Sequence, residues 1–293
     1  MENNENSGKP QFFTEYFYYK SLGFTTKIKE VLHSEETPFQ KIDVYQTESI
    51  GKLLTLNGKT MVSDLDEFVY HEVLAHVSYA VARSDQRVLI IGGGDGGVVR
   101  EFVKYSNIKA IHLVEIDERV VAVSRQYFPH CTSGLDDPRV QILPKDGIKY
   151  IQEEIAPASY DIVIIDSTDP EEMAEGLFTD RFYKAINRAL SADGIMLAQT
   201  ENPFLDEYGL KKIYDNLRAA FPIVESFSAP IIIYPGAYWS FAFASKKYSG
   251  TDLNPSKSAQ MKEISLNCKW YNPDWHRGSF ALSNFHRKQI GQK

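Results

Sequence analysis

The chain has 293 residues, a formal net charge of −7 and two cysteines, and this length fits one large domain or a small domain joined to a large one. The acidic balance argues against a nucleic-acid partner, which needs a basic surface, and two cysteines are too few for a disulfide framework and lack metal-ligand spacing. Because no signal-peptide core is visible and no apolar run approaches the roughly 18 residues that span a bilayer, we expect a cytoplasmic protein without a membrane or metal partner.

The first part of the chain, up to about residue 65, has the pattern of β-strands. A run with the two-residue alternation of a β-strand begins at Thr26, and a second such run covers residues 39–45. Asn57-Gly58 stands between two short runs and predicts a hairpin, because both residues accept the positive φ of a type I′ turn. We therefore predict a strand domain over residues 1–65, with the first ten residues disordered.

From residue 66 onward, helices alternate with short apolar strands. Strands are predicted at residues 88–91, 111–114, 140–143, 161–165 and 195–198. Helices are predicted at residues 66–82, 97–105, 118–128, 147–155, 179–189 and 210–220, the first of them capped by Asp64 or Asp66. This alternation indicates a parallel sheet covered on both faces.

Two later segments, residues 224–229 and 239–245, have no full helix between them and predict an antiparallel pair at one sheet edge. The fold class is therefore α/β. We predict a Rossmann-like fold of the S-adenosylmethionine-dependent methyltransferase type over residues 66–293, preceded by the small strand domain.

Three successive strand ends carry groups suited to a nucleoside. The loop that holds Gly92 and Gly94 lets the backbone turn tightly and approach a ligand, although such a loop also suits a phosphate or a plain turn. Glu115 ends the next strand and offers a carboxylate to two ribose hydroxyls. Asp146-Gly147 ends the third strand, at the place of an adenine amino group. Because these ends share one sheet edge, we predict a nucleoside site.

Three acidic residues at this edge point to the chemistry of the ligand. Asp95, inside the glycine-rich loop, would repel a pyrophosphate and attract a sulfonium or ammonium group, which favours an S-adenosyl compound over a dinucleotide. Asp166 follows the fourth strand, where a carboxylate can orient an ammonium group and accept its proton. Acidic neighbours would raise its pKa into a useful range. Asp169 offers a second amine ligand, or it caps the turn before Pro170.

With these motifs the chain resembles the spermidine synthase family. The matching segments run in family order from about residue 12 to residue 285: residues 66–72, 92–97, 114–117, 146–147, 166–170, 198–203 and 234–235, then Tyr271, Asn272, His276 and Phe280. The resemblance implies an aminopropyltransferase that moves the aminopropyl group of decarboxylated S-adenosylmethionine to putrescine, giving spermidine and 5′-methylthioadenosine. It implies no cofactor, since the donor is a co-substrate, and a homodimer or homotetramer formed through the N-terminal strands.

The resemblance also implies a role for each matching residue. Asp166 matches the proton acceptor, with Tyr70 as its catalytic neighbour, and Asp95 matches the residue that holds the aminopropyl ammonium. On the donor side, the matching residues are Glu115 at the ribose, Asp146 and Gly147 at the adenine, and Gln40, Gly92 and Gly94 around the nucleoside. On the amine side, they are His71 between donor and acceptor, and Tyr70, Asp169 and Tyr234 along the diamine slot.

Other interpretations stay open at this point. An S-adenosylmethionine methyltransferase or a non-catalytic binding protein could share the fold, and the amine could be cadaverine, agmatine or spermidine. The chain also departs from the family at Glu171-Glu172-Met173, where a small or apolar residue and then Gly-Pro are usual. The departure puts a proline contact with the nucleoside in doubt, and we expect a more mobile lid there.

Overall fold

The computed structural model describes residues 11–17, 19–84, 86–169, 172–206 and 209–292, without the side chains of Glu172 and Met173. The predicted disorder of residues 1–10 lies outside these ranges. Among the described residues, no helix combines the length and the apolar character that crossing a membrane requires.

The N-terminal sheet has five antiparallel strands in chain order. They are β1 Gln11–Phe17, β2 Leu22–Glu36, β3 Lys41–Thr47, β4 Lys52–Leu56 and β5 Lys59–Ser63. Asn57 and Gly58 join β4 to β5 with φ values of 50° and 74°, which confirms the predicted hairpin turn. The Asn57 side chain also accepts a 2.9 Å hydrogen bond from the amide of Lys41 and so ties the turn to β3.

The second sheet has seven strands in the order β11-β12-β10-β9-β6-β7-β8. They are β6 Arg87–Gly92, β7 Ala110–Glu115, β8 Val140–Pro144, β9 Tyr160–Asp166, β10 Leu190–Gln199, β11 Ile223–Ala229 and β12 Trp239–Ser245. Strands β6 to β10 are parallel, while β11 and β12 form the predicted antiparallel pair at one edge. This order confirms the methyltransferase-type fold. From β6 the chain first adds strands on one side, β7 and β8, and then on the other side, beginning with β9. Open α/β sheets bind ligands at such a switch point.

Nine helices cover the second sheet and the C-terminal part of the described chain. They are α1 Glu67–Val81, α2 Gly97–Phe102, α3 Glu118–Tyr127, α4 Gly147–Lys149, α5 Asp180–Ala189, α6 Leu210–Arg218, α7 Ser258–Ser265, α8 Pro273–Ser279 and α9 Asn284–Gln289. The predicted helix over residues 147–155 is wrong after Lys149. There the chain forms a π-helix, Tyr150–Glu154. Arg188 Nη2 donates hydrogen bonds to the carbonyls of Ile151 and Gln152 at 3.1 and 3.0 Å.

Helix α1 follows the first sheet and is buried on almost every side; Phe68 alone in it is not buried. It therefore carries several charged side chains into the interior, where each must find a partner. Asp66 occupies the helix N-cap, but its side chain makes no capping bond. The predicted cap position of Asp66 is therefore confirmed, but its side chain does not cap the helix. Its carboxylate instead accepts hydrogen bonds from the Ser63 hydroxyl at 2.6 Å and the Ile232 amide at 2.7 Å. A domain boundary at residue 65 stays a prediction.

Candidate functional site

A large cleft opens at the carboxyl edge of the second sheet, with a volume of about 1180 Å³ counted to its open mouth. Every site residue predicted from the sequence lines this cleft, except Asp169, which lines a smaller adjoining cavity. A space of this size holds a nucleoside-sized ligand, since small-molecule sites measure about 300–1,000 Å³.

The glycine-rich loop after β6 lies directly against the end of β9. Gly92 has φ +81°, and a Cβ there would approach the Asp166 carbonyl oxygen to 2.0 Å. Gly93 has φ +71°, and its Cβ would lie 2.6 Å from Oδ2 of Asp166. Glycine is therefore required at both positions by the backbone angle and by the close approach. This contact brings Asp95 and Asp166 into one site.

Glu115 and Asp146 occupy the ends of the next two strands, as predicted. Glu115 accepts hydrogen bonds from the amides of Gly94 at 3.2 Å and Asp117 at 2.9 Å. Burial raises the pKa of Glu115 to about 7 despite these amide bonds. Asp146 uses Oδ1 to accept hydrogen bonds from the first amides of α4. Both carboxylates are thus fixed by backbone at the rim of the cleft.

Gln40 reaches the cleft from the N-terminal sheet, from the turn between β2 and β3. Its Nε2 donates a 3.1 Å hydrogen bond to Oδ2 of Asp117, and the Thr37 hydroxyl donates to the same oxygen at 2.8 Å. Asp117 also caps α3 by accepting from the Arg119 amide. One carboxylate therefore connects the N-terminal sheet to the rim of the cleft beside Glu115.

Asp166 combines a hydrogen-bonded oxygen with an unpaired one. Tyr70 donates a 2.8 Å hydrogen bond to Oδ1. The buried Oδ2 has no hydrogen-bond partner among the described residues. Burial and the nearby Asp95 carboxylate raise the pKa of Asp166 to about 7. Such a group can accept a proton near neutral pH.

Asp95 lines the same cleft and is held by two donors. Its Oδ1 accepts a 2.8 Å hydrogen bond from the Gly97 amide and lies 3.0 Å from Nε2 of His71. Burial works to raise the pKa of Asp95, but the His71 ring outweighs it and holds the pKa below its ordinary value. An ionised Asp95 therefore faces a carboxyl group at Asp166 that titrates near neutral pH.

A smaller cavity of about 340 Å³ adjoins the cleft on the side of the N-terminal sheet. Tyr70 and Tyr234 line both spaces, with ring centroids 5.9 Å apart in an edge-on arrangement. The Tyr234 hydroxyl donates a 3.0 Å hydrogen bond to the carbonyl of Met61. Asp169 lines the smaller cavity, whereas the residues predicted to bind the nucleoside line the cleft. The tyrosine pair borders both spaces.

The sequence interpretation gave no role to several residues of the smaller cavity, among them Glu15, Lys59, Gln199 and Trp239. Gln199 donates to the Ser167 carbonyl at 3.1 Å and accepts from Trp239 Nε1 at 3.2 Å, so it holds the loop after β9. Its signal was present, because Gln199 falls in the family-like segment 198–203. Glu15 could not be singled out from the sequence, since no motif marks it within the segment Gln11–Phe17.

The departure at residues 171–173 falls partly outside the described chain. Glu171 is not described, and the backbone from Glu172 forms a 3₁₀ helix that runs to Phe178. Ala174 and Leu177 from this helix line the cleft. The predicted mobile lid and the doubt over the nucleoside contact stay predictions.

Comparison with known proteins places most of the chain in one family. Residues 67–255 match a family model described as the spermine/spermidine synthase domain, and residues 11–64 match one described as the spermidine synthase tetramerisation domain. A polyamine aminopropyltransferase from Alkaliphilus metalliredigens is 44% identical over 90% of this chain and 92% of its own. One from Clostridium perfringens is 41% identical over 91% of this chain and 93% of its own.

Solved structures give the same result. A spermidine synthase in complex with the transition-state analogue AdoDATO matches with a TM-score of 0.91, and spermidine synthase from Thermotoga maritima matches with 0.89. Each is 36% identical in sequence, and each match covers 98% of both chains.

Proposed function

Because this chain belongs to the spermine/spermidine synthase family and is a polyamine aminopropyltransferase, we propose that it moves the aminopropyl group of decarboxylated S-adenosylmethionine to putrescine. The products are spermidine and 5′-methylthioadenosine. The observation that carries this proposal is the unpaired Oδ2 of Asp166, in a cleft that Asp95 also lines and that the smaller cavity adjoins.

The donor occupies the cleft in this proposal. Glu115 accepts the ribose hydroxyls, Asp146 and Gly147 border the adenine, and Gln40 lies over the nucleoside. The Gly92 and Gly94 backbone lets the sulfonium approach the end of β6 closely. Asp95 binds the terminal ammonium of the donor. Ordinary S-adenosylmethionine would bring a carboxylate to Asp95, and burying two like charges together is strongly unfavourable.

The transfer itself needs a neutral amine nitrogen. Asp166 accepts a proton from the substrate ammonium, and the freed nitrogen lone pair attacks the aminopropyl carbon bonded to sulfur. A nitrogen–carbon bond forms as the carbon–sulfur bond breaks. The electron pair of the broken bond stays on sulfur, which neutralises the sulfonium and gives 5′-methylthioadenosine as the leaving group. Tyr70 keeps Oδ1 of Asp166 occupied, so Oδ2 is the proton-accepting atom.

The smaller cavity supports a short diamine as the acceptor. Its acidic residues, Asp169 and Glu15, suit the distal ammonium of a diamine, while Tyr70 and Tyr234 pack against its methylene chain. Lys59 also lines this cavity. Its positive charge reduces the attraction of the cavity for an amine with a third ammonium, as in spermidine, so putrescine is favoured over a longer amine.

Assembly and location complete the proposal. We expect a homodimer or homotetramer joined through the N-terminal sheet, whose residues match the model described as a tetramerisation domain. Apolar side chains on β1 and β2 are solvent-exposed in the single chain, including Phe12 at 52% and Tyr16 at 61%. We also expect a cytoplasmic enzyme without a cofactor, and its two cysteines are free, as cytoplasmic thiols usually are.

The test is an activity assay of the purified protein with putrescine, cadaverine, agmatine and spermidine, each with and without decarboxylated S-adenosylmethionine. We expect donor-dependent product with putrescine at the highest kcat/KM. Preference for another amine would overturn the choice of acceptor while leaving aminopropyl transfer intact.

A further inference from the structure

Beside Asp95, a buried chain of alternating charges runs through His71 and Glu67, which also line the cleft, to Arg100. The ring of His71 lies between two carboxylates, with Nε2 3.0 Å from Oδ1 of Asp95 and Nδ1 2.6 Å from Oε2 of Glu67. The side chains of His71 and Glu67 are 2% and 3% exposed. Ionised carboxylates only accept hydrogen bonds, so both ring nitrogens must carry a proton to bind both. His71 is therefore an imidazolium.

Arg100 on α2 completes the chain of charges. Its guanidinium binds both oxygens of Glu67, with Nη1 3.0 Å from Oε1 and Nη2 2.9 Å from Oε2. Such a two-point contact fixes the carboxylate in orientation as well as charge. The Arg100 Nε donates to Glu101 at 2.8 Å, which anchors the guanidinium in turn. Glu67 is thus held ionised against Nδ1 of His71.

Gly97 makes room for this arrangement. A Cβ at this position would lie 2.2 Å from Nδ1 of His71, which is closer than two non-bonded atoms can approach. The same residue donates its amide proton to Oδ1 of Asp95. The last glycine of the loop therefore serves the histidine as well as the carboxylate.

We propose that Glu67 and Arg100 are positioning residues, which keep His71 doubly protonated so that it clamps Oδ1 of Asp95 and leaves the other carboxylate oxygen for the cationic donor. The proposal rests on the role of Asp95 proposed above. Neither Glu67 nor Arg100 touches the reacting atoms. They act through His71, which the sequence interpretation had placed in the amine site.

The electrostatics of the surrounding groups agree with this geometry. Burial works against a charged ring, but the Asp95 and Glu67 carboxylates raise the pKa of His71 to about 10. The other ionisable groups that face this cluster are Tyr70 on α1, Arg100 on α2, Asp166 after β9, and His130 and Cys131 after α3. Among them Arg100 is the fixed cation, and it lies on the far side of Glu67.

The test compares Glu67→Gln with Glu72→Gln as a matched control. Glu72 is also a buried glutamate of α1, but its carboxylate accepts hydrogen bonds from the backbone amides of Lys269 and Trp270 at 2.8 Å. In Glu67→Gln, His71 loses its positive charge at a lower pH than in the parent. The remaining ring proton stays on Nε2 toward Asp95, while Nδ1 accepts from the side-chain amide of the introduced glutamine. The charge-assisted hydrogen bond that clamps Oδ1 of Asp95 thereby becomes a weaker neutral one. We expect the KM for decarboxylated S-adenosylmethionine to rise about tenfold relative to the parent, increasingly so from pH 6.5 to pH 9, with a smaller change in kcat.

Proton NMR of the histidine C2 positions gives a readout independent of turnover. The His71 signal, identified by its loss in His71→Gln, should not titrate below pH 9 in the parent and should titrate in Glu67→Gln. Arg100→Lys keeps the positive charge but loses the two-point contact with Glu67, and it should give an intermediate donor KM. This variant tests the proposal if Glu67→Gln does not fold.

A neutral His71 in the parent, or a donor KM ratio for Glu67→Gln that is flat with pH and equal to that of Glu72→Gln, would overturn the proposal. Absence of any parent turnover with this donor would instead overturn the proposed function, and the histidine signals would still decide whether Glu67 keeps the charge on His71.

Discussion

The Tyr70 hydroxyl donates a 2.8 Å hydrogen bond to Oδ1 of Asp166 across the junction between the cleft and the smaller cavity. This bond links the helix that leaves the first sheet to the central strands of the second. It also makes the two oxygens of Asp166 unequal, because Oδ2 has no partner among the residues that the structure describes. The proposed donor side, the proposed amine side and the proposed proton acceptor therefore meet at one hydrogen bond.

Replacing Asp166 by asparagine keeps the shape of the side chain and removes the proton acceptor. We expect kcat to fall about 10²–10⁴-fold, the usual loss for a general base. Donor affinity, measured by calorimetry, should change little because Asp95 and Glu115 are intact. Near-normal turnover of Asp166→Asn across the pH range would remove Asp166 from this role.

The pH dependence should show two acid limbs that can be separated. Burial, with help from Asp95, raises the pKa of Asp166 to about 7, so kcat should fall as the pH drops through 7 and the base becomes protonated. Burial also raises the pKa of Glu115 to about 7, so donor KM should rise over the same range as its carboxylate loses charge. A kcat that stays constant down to pH 5 would contradict the first assignment.

Replacing Tyr70 by phenylalanine should move the first limb. The Tyr70 hydrogen bond stabilises the ionised form of Asp166 and works to lower its pKa against burial. Without it, the acid limb of kcat should shift to higher pH, and activity at pH 7 should fall more than activity at pH 9. The pH–rate profile checks this, and an unchanged or lowered limb would count against the hydrogen bond.

Lys59 should decide how long an amine the enzyme accepts. Replacing it by methionine keeps most of the length and removes the positive charge, so kcat/KM for spermidine should rise at least severalfold relative to that for putrescine. Lys59→Arg is the matched control and should keep the parent ratio. If both variants have the parent ratio, the charge at this position plays no part in specificity.

Much of the site was predictable because the chemistry of an open parallel sheet concentrates at its strand ends. Glu115 and Asp166 could be placed from short apolar runs alone, and Asn57-Gly58 marked the hairpin. Long-range partners could not be predicted. Asp66 was expected to cap α1, but a backbone amide at Ile232, far along the chain, takes its carboxylate.

His71 illustrates the same limit. Its helical spacing from Glu67 was visible in the sequence, yet the spacing does not show that Arg100 holds Glu67 or that the ring turns toward Asp95. Glu15 reaches the smaller cavity from the first strand, and only the way the N-terminal sheet lies on the second one brings it there. The helices and strands could thus be predicted from the sequence, but the side-chain contacts between them could not.

The central claim is that the donor delivers its aminopropyl group, and mass spectrometry of the products tests it most directly. Purified enzyme should be incubated with putrescine and either decarboxylated or ordinary S-adenosylmethionine. We predict equal amounts of spermidine and 5′-methylthioadenosine from the decarboxylated donor and no product from the ordinary one. Methylated putrescine formed from ordinary S-adenosylmethionine, with no spermidine formed from the decarboxylated donor, would contradict the account.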